Sequence, residues 1–345
     1  MSKVLVTGGC GYIGSHTIVD LIDNGFEVIS ADNLSRSNPI TFNGIEKITS
    51  KKIKNYKVDL ADLNQAKIIF EEHKDIAGVI HFAAYKMVGE SVKEPLKYYR
   101  NNIGSLMNIL DLMQMHEVQN LVFSSSCSVY GNADDLPVTE NSPIKKAESP
   151  YAHTKQIGEE IIKSFTKQYD LRYMLLRYFN PAGAHSSSEI GELPIDRPQN
   201  LVPYMTKTAT GELSQLTVFG SDYPTKDGTC VRDYIHVMDI AGAHTCALKK
   251  MINEPNGDWS NIYNLGAGVG RSVKEAIETF EKVNDLKLNW AFGDRREGDI
   301  IAVWGDNQKA KKELDWTLKY SFEDLMQTAY NWEKVLNERG LNTKA

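Results

Sequence analysis

Tyr151 and Lys155 stand four residues apart in SPYAHTKQI, residues 149–157, behind a serine and a proline that read as the start of a helix. Residues four apart on a helix share one face, so a phenol and an ammonium would project together. A phenol, with an ordinary pKa of about 10, is a poor base at neutral pH unless a nearby cation favours the phenolate. Lys155 supplies one such cation, and Ser126, closing the apolar run NLVFSSS, supplies a hydroxyl. That trio suits general-base chemistry. A Tyr-x-x-x-Lys pair taken alone reads equally as a surface pair on any helix.

Gly8, Gly11 and Gly14 form GxxGxxG between KVLVT, a β-branched run, and SHTIVDLIDNG, whose apolar residues recur at helical spacing. Glycines so placed allow a tight turn, a close approach of backbone to a pyrophosphate and close packing of helix on strand, while the helix N-terminus offers amides to the anion. Glycines also make turns without a ligand; the position between strand and helix is what favours a dinucleotide. Asp32 closes the second strand, 18 residues past Gly14. A carboxylate there accepts hydrogen bonds from the adenosine ribose and repels a 2′-phosphate, so NAD is expected over NADP. Arg36 could receive a 2′-phosphate if its loop turned it inward; a solvated loop arginine is the plainer alternative. Asp59, after the third strand, either meets the adenine amino group or caps a helix. The positive nicotinamide ring would join Lys155 in favouring a Tyr151 phenolate.

The elements that must hold these residues alternate. KVLVTGG, FEVISADN, NYKVDLAD, GVIHFAA, NLVFSSSCSVYG and RYMLLRYFN read as strands, with helical patterns such as EPLKYYRNNIGSLMNILDLMQMH between several of them. That rhythm predicts right-handed βαβ units and an α/β fold, a doubly wound parallel sheet of Rossmann type covered on both faces. Ser126 and the helix of Tyr151 then meet the carboxyl edge of the sheet, where such folds bind ligands. After Asn180 the chain turns rich in Pro, Gly, Ser and Asn, so residues 1–180 are expected to form the NAD-binding domain and 181–345 a smaller α/β substrate domain. Short strands (LTVFG, NIYNLGAG) and helices (SVKEAIETFEKV, FEDLMQTAYNWEKVLNE) suit that smaller lobe. A segment of about 234–262 is expected to rejoin the first sheet.

Composition narrows the partners. With 345 residues, 41% hydrophobic and 24% charged, the chain can bury a sizeable core and is too apolar for a disordered protein. A formal charge of -6 and no block of Lys and Arg argue against nucleic acid, which needs a basic face. Any anionic ligand must be met by a few local arginines. No signal peptide and no window of 18 apolar residues is read, so neither export nor a membrane span is expected. Cys10, Cys127, Cys230 and Cys246 are scattered with no CxxC pair, which predicts free thiols, a reducing compartment and a cytoplasmic protein. His236 and His244 could share a helical face, but no ligand partner stands at metal spacing, and no metal is expected.

The order of these features, together with VLVTGGCGYIGSH, VIHFAAYKMVGES, FSSSCSVYG, SPYAHTK, LRYFNPAGAH, GTCVRDYIHVMD, IYNLGAGVGRSV and RREGD, carries a resemblance from residue 4 to about 306. The chain resembles the extended short-chain dehydrogenase/reductases and, within them, the UDP-glucose 4-epimerases. The resemblance implies that Tyr151 takes the proton of the sugar 4-hydroxyl while NAD accepts the C4 hydride, giving a 4-keto sugar that turns over before hydride returns. Ser126 would bond O4 and relay the proton; Lys155 would bind the nicotinamide ribose and depress the Tyr151 pKa. By matching positions, NAD would be lined by Gly8, Gly11, Tyr12, Ile13, Gly14, Asp32, Asn33, Leu34, Ser35, Arg36, Ser37, Asp59, Leu60, Phe82, Ala83, Ala84, Lys86, Asn101, Ser126, Tyr151, Lys155 and Phe179. The nucleotide sugar would meet Lys86, Ser126, Tyr151, Asn180, Asn200, Leu201, Thr217, Val218, Phe219, Arg232 and the run Arg296 to Asp299. Arg232 and Arg296 also have an independent basis, because a diphosphate calls for forked cationic donors. A homodimer through residues 94–116 and 150–168 is implied as well.

Two departures and three rivals qualify this picture. Cys127 follows Ser126 where Ala or Thr is expected. Val303, seven past Arg296, stands where members restricted to UDP-glucose and UDP-galactose resemble one another in carrying tyrosine; a valine leaves room for an acetamido group, or it only packs in a core. A nucleotide-sugar 4,6-dehydratase would need acidic residues where Cys127 and Ser128 stand. Uronate 4-epimerases and decarboxylases share Ser, Tyr and Lys and would differ by a carboxylate pocket. A non-catalytic NAD-binding sensor would tolerate loss of the trio, and all three residues are present.

Overall fold

The computed structural model describes residues 1–193, 198, 200–296 and 299–341. Its strands, in chain order, are β1 (Lys3–Thr7), β2 (Glu27–Ala31), β3 (Lys54–Tyr56), β4 (Ile76–His81), β5 (Asn120–Ser126), β6 (Arg172–Tyr178), β7 (Asn180–Ala182), β8 (Leu216–Phe219), β9 (Val231–His236), β10 (Asn261–Leu265), β11 (Gly270–Ser272), β12 (Trp290–Gly293) and β13 (Ala302–Val303). The helices are α1 (Tyr12–Asp23), α2 (Ile40–Thr49), α3 (Leu63–Glu72), α4 (Val88–Lys93), α5 (Pro95–Tyr98), α6 (Gly104–Met115), α7 (Pro150–Phe165), α8 (Leu201–Ala209), α9 (Val237–Asn253), α10 (Val273–Asn284), α11 (Gln308–Glu313) and α12 (Phe322–Glu338).

Successive side chains of a strand point to opposite faces, and β1 uses both. Val4 and Val6 join Ile18 and Leu21 of α1 and Ile240 and Leu248 of α9 on one face. Leu5 joins Ile69 and Phe70 of α3 and Ile109 and Leu110 of α6 on the other. Strands buried on both sides and linked by helices form a parallel sheet, here in the order β10-β6-β5-β4-β1-β2-β3. The order reverses between β1 and β4, and a crevice opens at such a switch point beyond the carboxyl ends of the strands.

The expected rhythm and the observed one differ in three places. NIYNL, read as a strand of the smaller lobe, is β10 and pairs with β6 at the edge of the large sheet. β9 instead pairs with β7, β11 and β13 in a second sheet. The pattern of 94–116 is α5, a π-helical turn over Tyr99–Ile103, and α6 in succession. The smaller lobe packs Val202 and Met205 of α8, Ile277 and Phe280 of α10, and Leu325 and Met326 of α12 around one core. Among the described residues no helix is long and apolar enough to cross a membrane.

A buried ion pair fixes α7 to the sheet. Arg177 of β6, 1% exposed, donates from Nε and Nη2 to the two oxygens of Glu159 on α7, at 2.8 and 2.6 Å. Glu159 also accepts from Ser125 Oγ at 2.6 Å, and Arg177 Nη1 donates to Tyr130 Oη, which donates to Asn264 Oδ1 of β10. Removing one charge strands its partner away from water. Glu159→Gln is therefore expected to lower unfolding free energy by about 3–5 kcal/mol, read by urea denaturation; a loss under about 1 kcal/mol would contradict the pair's role as an anchor.

Candidate active site

Gly8 lies at φ +67°, and a Cβ there would come within 2.9 Å of Ala83 N beyond the end of β4. A Cβ on Gly14 would come within 2.3 Å of Gly8 O, so α1 can pack this close only behind glycine. Gly11 caps α1 with no side-chain bond, and no acidic residue stands in the first turn. The first amides are thus left to an anion at the helix N-terminus. Tyr12 and Ile13 open α1, and Tyr12 Oη donates to Gly183 O at 2.5 Å. Phe82 tilts against His244 at 4.6 Å, and Ala83 N donates to Thr7 Oγ1 at 3.2 Å, tying β4 to β1 at the switch point. Ala84 follows, half-buried.

Asp32 sits just past β2, and its loop wraps the carboxylate. Cys10 N, Leu34 N and Ser37 Oγ donate to it at 3.0, 2.9 and 2.9 Å, with Leu34 at φ +61°. Asn33 accepts from Ser35 N at 3.0 Å. Arg36 is not simply solvated: it pairs with Glu90 and lies over the Tyr85 ring. Asp59 does not cap a helix, because Asp62 caps α3; Asp59 Oδ1 accepts from Ala61 N, and Leu60 is buried. Asn101, in the π-helical turn, donates to Asn102 Oδ1 at 2.9 Å. These contacts fit a dinucleotide laid along the crevice: a glycine cradle, an uncapped helix end and a fixed carboxylate.

α7 starts where the sequence signals it. Ser149 Oγ accepts from Ala152 N at 3.2 Å, and Pro150 occupies the first turn, where no amide partner is needed. Tyr151, Lys155 and Glu159 then recur every four residues on one face. Ser126 ends β5, and its hydroxyl accepts from Ser128 N at 3.2 Å. Burial pushes the Tyr151 phenol up to about 12, against a hydrogen bond with Ser126 that pulls it down. Burial lowers the Lys155 ammonium to about 8, against the nearby Glu159 charge.

The expected depression of the Tyr151 pKa by Lys155 is therefore not a property of the chain alone. Lys155 Nζ donates to Ser124 O at 2.6 Å and lies 5.0 Å over the Phe123 ring, so the ammonium is directed at the strand and not at the phenol. Desolvation then dominates at the phenol.

Of the expected nucleotide-sugar residues, Arg296, Asp299, Phe219 and Arg232 meet one another. Arg296 donates to both oxygens of Asp299 at 3.1 and 3.2 Å and lies 4.7 Å over Phe219; Arg232 reaches Asp299 at 3.8 Å. Glu297 and Gly298 of the same run lie outside the described residues. Thr217 and Phe219 share the exposed face of β8, but Val218 points into the lobe core, because side chains of a strand alternate. Asn200 precedes α8 and Leu201 opens it. Asn180 Nδ2 donates to Asp233 O at 3.0 Å. Lys86 pairs with Glu192 of the following lobe at 3.2 Å. Val303 is buried with Val129, Tyr130 and Phe179, and Cys127 packs against that cluster; Val303 also pairs with Arg232 across β13 and β9. Phe179 is clamped by Gly305, where a Cβ would meet its ring at 2.4 Å.

Two residues of this edge went unread in the sequence. Glu159 carried a usable signal, one further turn on the face of Tyr151 and Lys155. Asp233 is fully buried and accepts from Ala267 N, Gly268 N and Gly305 N at 2.6, 3.2 and 3.2 Å. Burial pushes its carboxyl up to about 6 against those three donors. No local pattern announces it, since the donors come from 34 to 72 residues away. His236 bonds Thr328 and His244 bonds Tyr178, so the two are separate, and no metal-holding cluster occurs among the described residues.

Comparison with known proteins gives the family. The family model for GDP-mannose 4,6 dehydratase matches residues 5–329. The UDP-glucose 4-epimerase of Bacillus subtilis is 46% identical over 331 residues, 96% of each chain. A UDP-glucose 4-epimerase from Stenotrophomonas maltophila, solved with NAD and formylated UDP-arabinopyranose, superposes with a TM-score of 0.94 at 41% identity, over 98% of this chain and all of that one. One from Bifidobacterium longum, solved with NAD+ and UDP, gives 0.91 at 41%, over 99% of this chain and 100% of its own. With these matches along almost its whole length, the chain belongs to the UDP-glucose 4-epimerases, within the extended short-chain dehydrogenase/reductases.

Proposed function

We propose that the chain interconverts UDP-glucose and UDP-galactose at C4 through a 4-keto sugar, using bound NAD. What carries this assignment is one juxtaposition: Ser126, ending β5, lies two strands from the β1 that feeds the glycine turn, and Arg232 pairs across β9 and β13 with Val303, whose buried cluster takes in Cys127 next to Ser126. When bound, NAD accepts the C4 hydride and gives it back. Tyr151 Oη takes the 4-hydroxyl proton and later returns it, with Ser126 Oγ bonded to the same oxygen. Lys155, held on Ser124 O, keeps a positive charge at the ribose end of the crevice. Arg232 and Arg296 exchange Asp299 for the diphosphate, which offers a stronger forked partner.

Cys127 and Ser128 leave no acid to protonate a sugar C6 leaving group, which separates this site from the dehydratase whose name the family model bears. Residues 1–180, joined by α9 and β10, serve NAD, and the remainder serves the UDP-sugar. A cytoplasmic homodimer through 94–116 and 150–168 suits the exposure of Leu96, Met107 and Met115 there. Val303, small and beside Cys127, supports a further acceptance of UDP-N-acetylhexosamines.

Purified protein given UDP-galactose and no added oxidant is expected to form UDP-glucose, and Tyr151→Phe to cut kcat by about 10²–10⁴-fold while NAD stays bound. Retained turnover in that variant would remove Tyr151 as the base. Val303→Tyr is expected to abolish turnover of UDP-N-acetylgalactosamine and spare UDP-galactose; equal turnover of both sugars in that variant would show that Val303 is no gate.

A further inference from the structure

Arg36, four residues past Asp32, occupies the neighbourhood from which an arginine receives the 2′-phosphate of NADP in dinucleotide folds. In this chain its guanidinium, on the loop after β2, is engaged by α4, which follows β4 on the other side of β1. Glu90 of α4 takes Arg36 Nη2 on Oε1, takes Lys97 Nζ on the same oxygen at 2.8 Å, and accepts from Tyr98 Oη on Oε2 at 2.7 Å. Arg36 and Lys97 both lie over the Tyr85 ring, 5.3 and 5.6 Å from its centre. Burial pushes the Glu90 carboxyl up, but bonds from Lys97, Tyr98 and Arg36 outweigh it and hold the group ionised, well below the usual carboxylate range. A two-cation patch beside the adenosine end is thus partly neutralised by a half-buried carboxylate.

We propose that Glu90 is a specificity residue for the cofactor: by holding Arg36 it withholds from a 2′-phosphate the cation that would bind it, while Lys97 is shared between Glu90 and Glu94 at 2.8 Å each. Selection of NAD then rests on Glu90 as well as on Asp32, whose carboxylate is fixed by Cys10 N, Leu34 N and Ser37 Oγ. The proposal rests on the assignment of a bound dinucleotide. It differs from reading Asp32 alone, because it predicts that the chain already carries the arginine needed for NADP and suppresses it.

The test reads nucleotide content, not activity. Folded protein, after incubation with an excess of NADP and desalting, is denatured with acid and the released dinucleotides are separated by chromatography. Glu90→Gln is expected to raise the ratio of NADP to NAD by about tenfold or more over the parent, the range of one charge-assisted contact. Adding Arg36→Ser to that variant is expected to bring the ratio back. Should Glu90→Gln yield no folded protein, Glu90→Asp, whose shorter side chain draws the carboxylate away from Arg36, carries the same expectation of a raised ratio. An unchanged ratio in the folded variant, or a raised ratio that survives loss of Arg36, would overturn the proposal. Parent protein that releases no dinucleotide at all would instead overturn the cofactor assignment beneath it.

Discussion

Water is excluded from the edge where β5, β6 and α7 meet, and the rest of the site follows from that exclusion. A charge cannot be left unpaired there, so Arg177 and Glu159 lock together and recruit Ser125, Tyr130 and Asn264. This network binds the helix that bears Tyr151 and Lys155 to the strand that ends in Ser126. It also reaches β10, so the late segment of the chain is held against the same edge. Coulomb energy in so dry a region is large, and the cost of breaking one contact exceeds the net gain from forming it. Such a network therefore sets geometry more than it adds stability.

The same dryness sets the protonation states. Burial raises Tyr151 to about 12 and lowers Lys155 to about 8. Both shifts favour the neutral forms, the opposite of what a working base and its cation need. A buried positive charge near the phenol would be felt strongly in such a medium, because little water remains to screen it. Lys155 is tied to the strand, and under the proposed mechanism a cationic ligand beside Tyr151 would supply the larger part of the phenol's activation.

Much of this was legible in the sequence, for physical reasons that are local. Ser149 and Pro150 announce the start of α7, and Gly8, Gly11 and Gly14 announce the turn, because caps and tight turns depend on residues a few positions apart. The alternation of strands and helices fixed the class of sheet. What stayed hidden depends on distant partners. NIYNL has the same composition in either sheet, and only pairing with β6 decides. Lys155 could face Tyr151 or Ser124 O at the same spacing, and the carbonyl prevails. Asp233 is defined by three amides from two remote loops, and Lys86 by Glu192, 106 residues on.

The central claim is that the chain alone holds Tyr151 protonated and that a bound positive ring releases its proton. Ultraviolet difference titration of tyrosinate in the NAD-loaded protein, with Tyr151→Phe as the subtraction, measures this directly. The account predicts one phenolate forming at or below about pH 8, close to where a general base must titrate, and missing from the variant. A Tyr151 that ionises only above about pH 10, its ordinary range, with NAD bound would contradict it.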